Sequence, residues 1–160
     1  MVTIRPLTQA DAAALARSLE HPSIARWWTP LGPVEERADE LRNDGRAFAI
    51  EVDGELAGWI GYEEELDPNF RYASLDIFLR PDFQGRGHGV AALREAARWL
   101  IDKRGHHRIT IDPAADNERA IRVYRSIGFR DVGVMRRYGR VVDGRWADHL
   151  LMDLLAGELS

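Results

Sequence analysis

The stretch Gln84-Gly85-Arg86-Gly87-His88-Gly89 decides how this chain is read. Upstream, Ala73 to Leu79 is strand-like and is closed by Pro81; downstream, Val90 to Leu100 reads as a helix. A strand that feeds a glycine-rich loop opening a helix is a phosphate-binding arrangement. Glycines let backbone N–H groups approach an anion, and the positive end of the helix dipole favours it. The loop is therefore read as holding the pyrophosphate of a cofactor, the alternative being an ordinary glycine-rich turn. A Walker A loop is excluded because no Gly-Lys-Ser/Thr follows. The dinucleotide fingerprint fits poorly, since its third glycine spacing and the acidic residue after a second strand are missing.

Composition narrows the classes. At 160 residues the chain is expected to be one domain, 1–160, able to bury most of its apolar surface without external staples. It has no cysteine, so disulfides, thiolate metal sites and a cysteine nucleophile are excluded, and no metal is expected. Met1-Val2-Thr3-Ile4-Arg5-Pro6 lacks a long apolar run, and nowhere do apolar residues continue long enough to span a bilayer, so a cytoplasmic protein without membrane partners is expected. A net charge of −4 argues against nucleic acid. Charge is uneven, with Arg80, Arg86, Arg94, Arg98, Lys103, Arg104 and Arg108 around the glycine loop and its helix, and Glu63-Glu64-Glu65 and Asp67 before the strand. Both clusters are either solvated surface or an anion site beside a cation site.

In chain order, Thr3 to Leu7 forms a short strand, and Thr8-Gln9-Ala10-Asp11 caps a helix continuing through Leu19. His21-Pro22 ends it. In the Pro/Gly-flanked segment Ile24 to Pro33, Trp27 and Trp28 are core plugs or cleft walls, with one of them expected in the core. Val34 to Leu41 is a short helix. Arg46 to Val52 and Leu56 to Tyr62 make a hairpin through Asp53-Gly54, and Tyr72 to Leu79 extends it to a three-strand meander. The helix from Val90 carries Leu93, Ala96, Ala97, Leu100 and Ile101 on one stripe, with Gly105 at its end. Arg108 to Ile111 must then pair parallel with Tyr72 to Leu79, because a helical crossover joins them. Asn117 caps a helix over Glu118 to Ile127 that stops at Gly128; Phe129 to Tyr138 and Trp146 to Leu155 form a last hairpin. On the Glu118 helix, Ala120, Val123, Tyr124 and Ile127 share a stripe, so Tyr124 points inward, as a core tyrosine or as a proton donor beside the loop.

Two motifs carry a family resemblance. Gln84, Gly87 and Gly89 resemble the acyl-coenzyme A loop Gln/Arg-x-x-Gly-x-Gly/Ala of the GNAT N-acetyltransferases, and Asn117 to Phe129 resembles that family's Asn-x-x-Ala-x-x-x-Tyr-x-x-x-Gly-Phe. The resemblance implies an α+β fold: a mixed central sheet of about seven strands with an antiparallel meander, a splayed parallel pair and four flanking helices. It implies acetyl-CoA as cofactor, with the pantetheine arm along Ile77-Phe78-Leu79. The pyrophosphate would sit on the amides of Gly85, Arg86, Gly87, His88, Gly89 and Val90, beside Gln84 and Asn117. Tyr124 would supply a proton to the departing thiolate. The amine acceptor needs a base or a water chain, since an aliphatic amine with a reference pKa of about 10.4 is protonated at neutral pH. Asp112, just past a short strand, and Asp76, an aspartate where strands disfavour one, are the candidates.

For the acceptor, Arg26-Trp27-Trp28, Glu63 to Pro68, Leu75-Asp76 and Ile111 to Arg122 resemble the aminoglycoside 6'-N-acetyltransferases. That resemblance implies that Asp76 and Asp112 receive amino groups of the drug, with Trp27, Trp28, Glu63 and Glu64 lining its site. The alternative is a ribosomal-protein N-terminal acetyltransferase, which Arg136-Arg137-Tyr138 and Asp143 to Asp148 resemble. A peptide needs an open groove between Trp27-Trp28 and the last hairpin, whereas a sugar needs a walled acidic pocket. A third reading is a non-catalytic acyl-CoA-binding domain. A small-molecule amine partner and a monomer or homodimer complete the expectation.

Overall fold

The computed structural model describes residues 1–28, 33–141 and 143–160; the Thr29-Pro30-Leu31-Gly32 part of the Trp-Trp segment lies outside the described residues. The elements run β1 (Val2–Pro6), α1 (Gln9–Ser18), α2 (Pro22–Ala25), α3 (Val34–Arg42), β2 (Ala47–Val52), β3 (Glu55–Glu65), β4 (Tyr72–Leu79), α4 (His88–Asp102), β5 (Arg108–Ile111), α5 (Glu118–Ile127), β6 (Arg130–Arg140) and β7 (Trp146–Leu155). Four helices are substantial, as expected, and a fifth, α2, is a single turn with His21 at its N-cap and proline in its first turn.

Local chemistry explains the boundaries. Thr8 and Asp11 make a reciprocal capping box at the start of α1. Asp11 is also gripped by the Arg5 guanidinium, which holds its carboxyl down at about 2. At the other end of the chain, Gly128 takes φ +119° and closes α5, with Phe129 N–H donating to the Tyr124 carbonyl at 3.1 Å. Several expected boundaries move by one or two residues, as where β6 runs to Arg140 rather than Tyr138, and two shifts bear on the site. α4 begins at His88 rather than Val90, and β3 runs three residues past Tyr62, because Glu63, Glu64 and Glu65 find register partners in Ser74, Ala73 and Tyr72.

All seven strands join one sheet in the order β1-β2-β3-β4-β5-β7-β6. β1 to β4 are an antiparallel meander; β4 and β5 are the parallel pair that the α4 crossover requires. The last hairpin inserts β7 beside β5 and leaves β6 at the edge. Period-two alternation sends apolar residues to both faces. One face packs Ile50, Ile60, Leu75, Ile109 and Met152 against Leu93, Ala96 and Leu100 of α4 and Ile121 and Ile127 of α5. The other packs Trp59 and Phe78 against Leu15 of α1, Ile24 of α2 and Leu41 of α3. Each fully buried Leu or Ile contributes about 1.5–3 kcal/mol of transfer free energy, so both faces hold the middle of the sheet rigid. β4 therefore reaches the site at a defined height.

Candidate active site

The site begins where the parallel pair comes apart. β4 and β5 are in register at Ala73 with Ile109 and at Ser74 with Thr110, and no pairing follows. Asp76 stands two residues beyond Ser74, and Asp112 two beyond Thr110. With a side-chain period of two, both carboxylates project to the same face at the mouth of the split. Beyond Ser74 the β5-facing edge of β4 has no strand partner; on this part of the strand the Ile77 N–H donates to the Asp76 carboxylate at 3.0 Å and the Leu79 carbonyl accepts from the Gln84 amide.

The split opens into a cleft of about 670 Å³. Its walls come from Ser23 to Trp28 around α2, Asp76 to Leu79 of β4, the glycine loop, Asp112 to Ala114, the first two turns of α5, and Arg140 and His149 of the last hairpin. Gly85, Gly87, Gly89 and Val90 line it. Gly87 is the N-cap of α4, held at φ +82°, where a side chain is disfavoured. No side chain caps this helix and its first turn has no acidic residue, so the first N–H groups of α4 are left for an anion at the cleft wall. Arg86 and His88 are not among the wall residues. Arg86 is exposed, and the His88 ring tilts against Phe83 at 6.3 Å, so these two contribute backbone to the loop.

Gln84 and Asn117 have structural bonds of their own. The Gln84 amide donates to the Leu79 carbonyl at 2.9 Å and to Ser23 Oγ at 3.2 Å, tying the loop to the end of β4 and to α2. Asn117 accepts from the Ala120 N–H at 3.3 Å as the α5 cap, which leaves its NH₂ group for a cleft ligand. Both side chains line the cleft while shaping it.

Tyr124 lies about two turns beyond Asn117 along α5, 9 % exposed, with its ring 6.2 Å from Phe129. Burial, reinforced by the charges of Asp76 and Asp112, pushes its phenol well above the ordinary tyrosine range, so it holds its proton. Asp76 opens toward the cleft, yet the walls withhold enough water to push its carboxyl up to about 7, with the Asp112 charge adding to the effect. Asp112 is also raised, by burial, against a hydrogen bond from the Tyr138 hydroxyl and the neighbouring His149, which oppose the shift. Asp76, Asp112 and Tyr124, three titratable groups, thus line the same cleft.

Trp28 packs edge-on to Trp59 at 5.3 Å and to Phe78 at 5.4 Å, at the border of the core. Trp27 faces the cleft under the Arg26 guanidinium, 4.6 Å from its ring. Glu63 and Glu64 are a correction to the expected acceptor site: neither lines the cleft. Glu63 pairs with Arg46 at 3.2 Å, and Glu64 is held by Arg104 at 2.9 Å and by buried His106 at 2.5 Å. These partners hold the end of β3 where β4 and β5 still pair, away from the split, so the two carboxylates serve the fold.

Tyr138, Arg140 and His149 are additions that sequence reasoning passed over. His149 Nδ1 donates to the Asp112 carbonyl at 2.8 Å, and the Tyr138 ring lies 5.2 Å from its imidazole. Their placement follows a register shift between Met135 and Gly139, which strand alternation alone does not reveal.

Residues 1–130 match the family model described as an acetyltransferase (GNAT) domain, and the chain belongs to that family. It is similar to the N-alpha-acetyltransferase RimI of Mycobacterium tuberculosis, 32% identical over 88% of this chain and 85% of the relative. It is also 29% identical to the [ribosomal protein bS18]-alanine N-acetyltransferase of Escherichia coli, over 96% of this chain and 97% of that one. Among solved structures, Mycobacterium smegmatis RimJ in complex with CoA-disulfide superposes with a TM-score of 0.85 at 29% identity, covering 99% of this chain and 83% of that chain. The protein is an acetyl-CoA-dependent N-acetyltransferase. The cleft fits that donor, with an uncapped helix N-terminus at one end, an unpaired strand edge along its side and a protonated phenol near the split.

Proposed function

We propose that the acceptor is the α-amine of a protein or peptide N-terminus. The observation carrying this is a second groove of about 1040 Å³, bounded by Pro22, Arg26 and Trp27 on one side and by Ala115, Asp116 and, from the last hairpin, Arg145 and Trp146 on the other. Trp27 lines both this groove and the cleft, so the two adjoin at its side chain, and the groove is where the chain that follows an acceptor amine would run. The acidic wall that a sugar would need loses Glu63 and Glu64 to their ion pairs. An aminoglycoside or other polycation remains the second reading, favoured by the paired carboxylates of Asp76 and Asp112; its aminoglycoside likeness rests on the motifs alone.

In this reading, bound acetyl-CoA supplies an acetyl thioester at the split. Asp76 and Asp112 receive the acceptor ammonium, and the lone pair needed for attack appears once a carboxylate or a water chain beside them removes a proton. That ammonium also offsets the two charges that add to burial in holding the Tyr124 proton, which would make the proton easier to release to the leaving sulfur. The Ile77 N–H, which donates to the Asp76 carboxylate, would polarise the acetyl carbonyl once that carboxylate turns to the acceptor. Purified protein given acetyl-CoA and a panel of an alanine-terminated peptide, tobramycin and spermidine is expected to release thiol with the peptide. Release with tobramycin or spermidine and none with the peptide would overturn this assignment.

A further inference from the structure

The glycine loop supplies amides, and amides alone carry no net charge to set against a diphosphate. Of the two arginines nearest this loop in the sequence motifs, Arg86 does not line the cleft, whereas Arg119 does. Arg119 is the second residue of α5, and its Nη2 stands 3.2 Å from where a methyl group on Gly85 would lie. The guanidinium thus covers the backbone of the loop that opens α4. It takes part in no ion pair among the described residues, although many of the chain's other arginines are paired. Gly85 leaves room for this approach, since a methyl group there would crowd the guanidinium.

We propose that Arg119 is the cationic partner of the cofactor's pyrophosphate, closing over it from α5 while the N-terminal amides of α4 hold it from below. A planar guanidinium grips two phosphate oxygens at once, which backbone N–H groups and a lysine ammonium do less well. The same helix carries Asn117 and Tyr124, so the contact also sets where α5 stands against the loop when donor is bound. The assignment concerns the donor alone and is independent of which amine is acetylated.

Titration calorimetry with CoA, 3'-dephospho-CoA and pantetheine tests it on the wild type, Arg119→Ala and Arg119→Lys. Arg119→Ala is expected to weaken CoA and 3'-dephospho-CoA alike by about tenfold or more and to leave pantetheine unchanged, with Arg119→Lys intermediate. The salt dependence of CoA binding should become shallower in Arg119→Ala. An unchanged CoA affinity overturns the proposal. A penalty that vanishes with 3'-dephospho-CoA overturns it in favour of the 3'-phosphate, and an equal penalty on pantetheine reduces Arg119 to a structural role in α5.

Discussion

At the scale of single residues, the proposed chemistry rests on three titratable groups, Tyr124, Asp76 and Asp112. Tyr124 is buried and protonated beside two carboxylates, so its removal should touch turnover and spare donor binding. Tyr124→Phe is expected to lower kcat about 100-fold, with CoA affinity within about twofold of wild type, measured by steady-state kinetics and calorimetry. Asp76 carries a pH signature. Its carboxyl sits at about 7 in the folded protein, against an ordinary 3.8. Acceptor use should rise as pH passes through about 7, because only the ionised form attracts an ammonium. The linkage to stability has the opposite slope. Between the two values the unfolded chain has released this proton and the folded one has not, so stability contributed by the group falls as pH rises through that window. Asp76→Asn should flatten both trends, as read by kcat/KM profiles and by thermal melts from pH 5 to 8; unchanged slopes would remove Asp76 from this role. Asp76 stood out in the sequence as a misplaced strand residue, whereas Glu63 and Glu64 were equally visible and went to Arg46, Arg104 and His106. Residue type does not say which cation lies near.

Elements were the most legible level. Alternation, caps and turn residues place β5 at Arg108–Ile111 and α5 at Glu118–Ile127 with the same boundaries in sequence and structure. These signals work because they are local: a cap satisfies N–H groups within three residues, and a glycine stop acts at one dihedral. Gly128 shows the limit. Its positive φ is readable from the helix end, but a methyl there would also meet the Glu158 carbonyl at 2.2 Å, a contact made by residues thirty positions on. Gly128→Ala is accordingly expected to destabilise by more than the backbone term alone, about 2 kcal/mol or more, lowering Tm by about 5 °C or more in a melting experiment. The extension of β3 and the early start of α4 were illegible for the same reason. Partners in β4 stabilise Glu63 to Glu65 as strand, and a glycine pair reads as loop even where one glycine is the helix cap.

Across the whole molecule, a rigid sheet held between two apolar layers comes apart at one place, and the split is the site. Parallel strands joined by α4 twist away from each other after Ser74 and Thr110, while β7 takes the far side of β5 and carries His149 to the Asp112 carbonyl. By itself, the sequence determined the donor side: a glycine loop at a helix start and an Asn-to-Tyr helix lie close together along the chain, and their chemistry follows from local backbone geometry. Only the tertiary structure assembles the walls that face the proposed acceptor. The cleft walls come from residues more than a hundred positions apart, Trp27 from near α2 and His149 from β7, and whether a carboxylate faces that cleft or an arginine depends on strand register and packing, which no local pattern encodes.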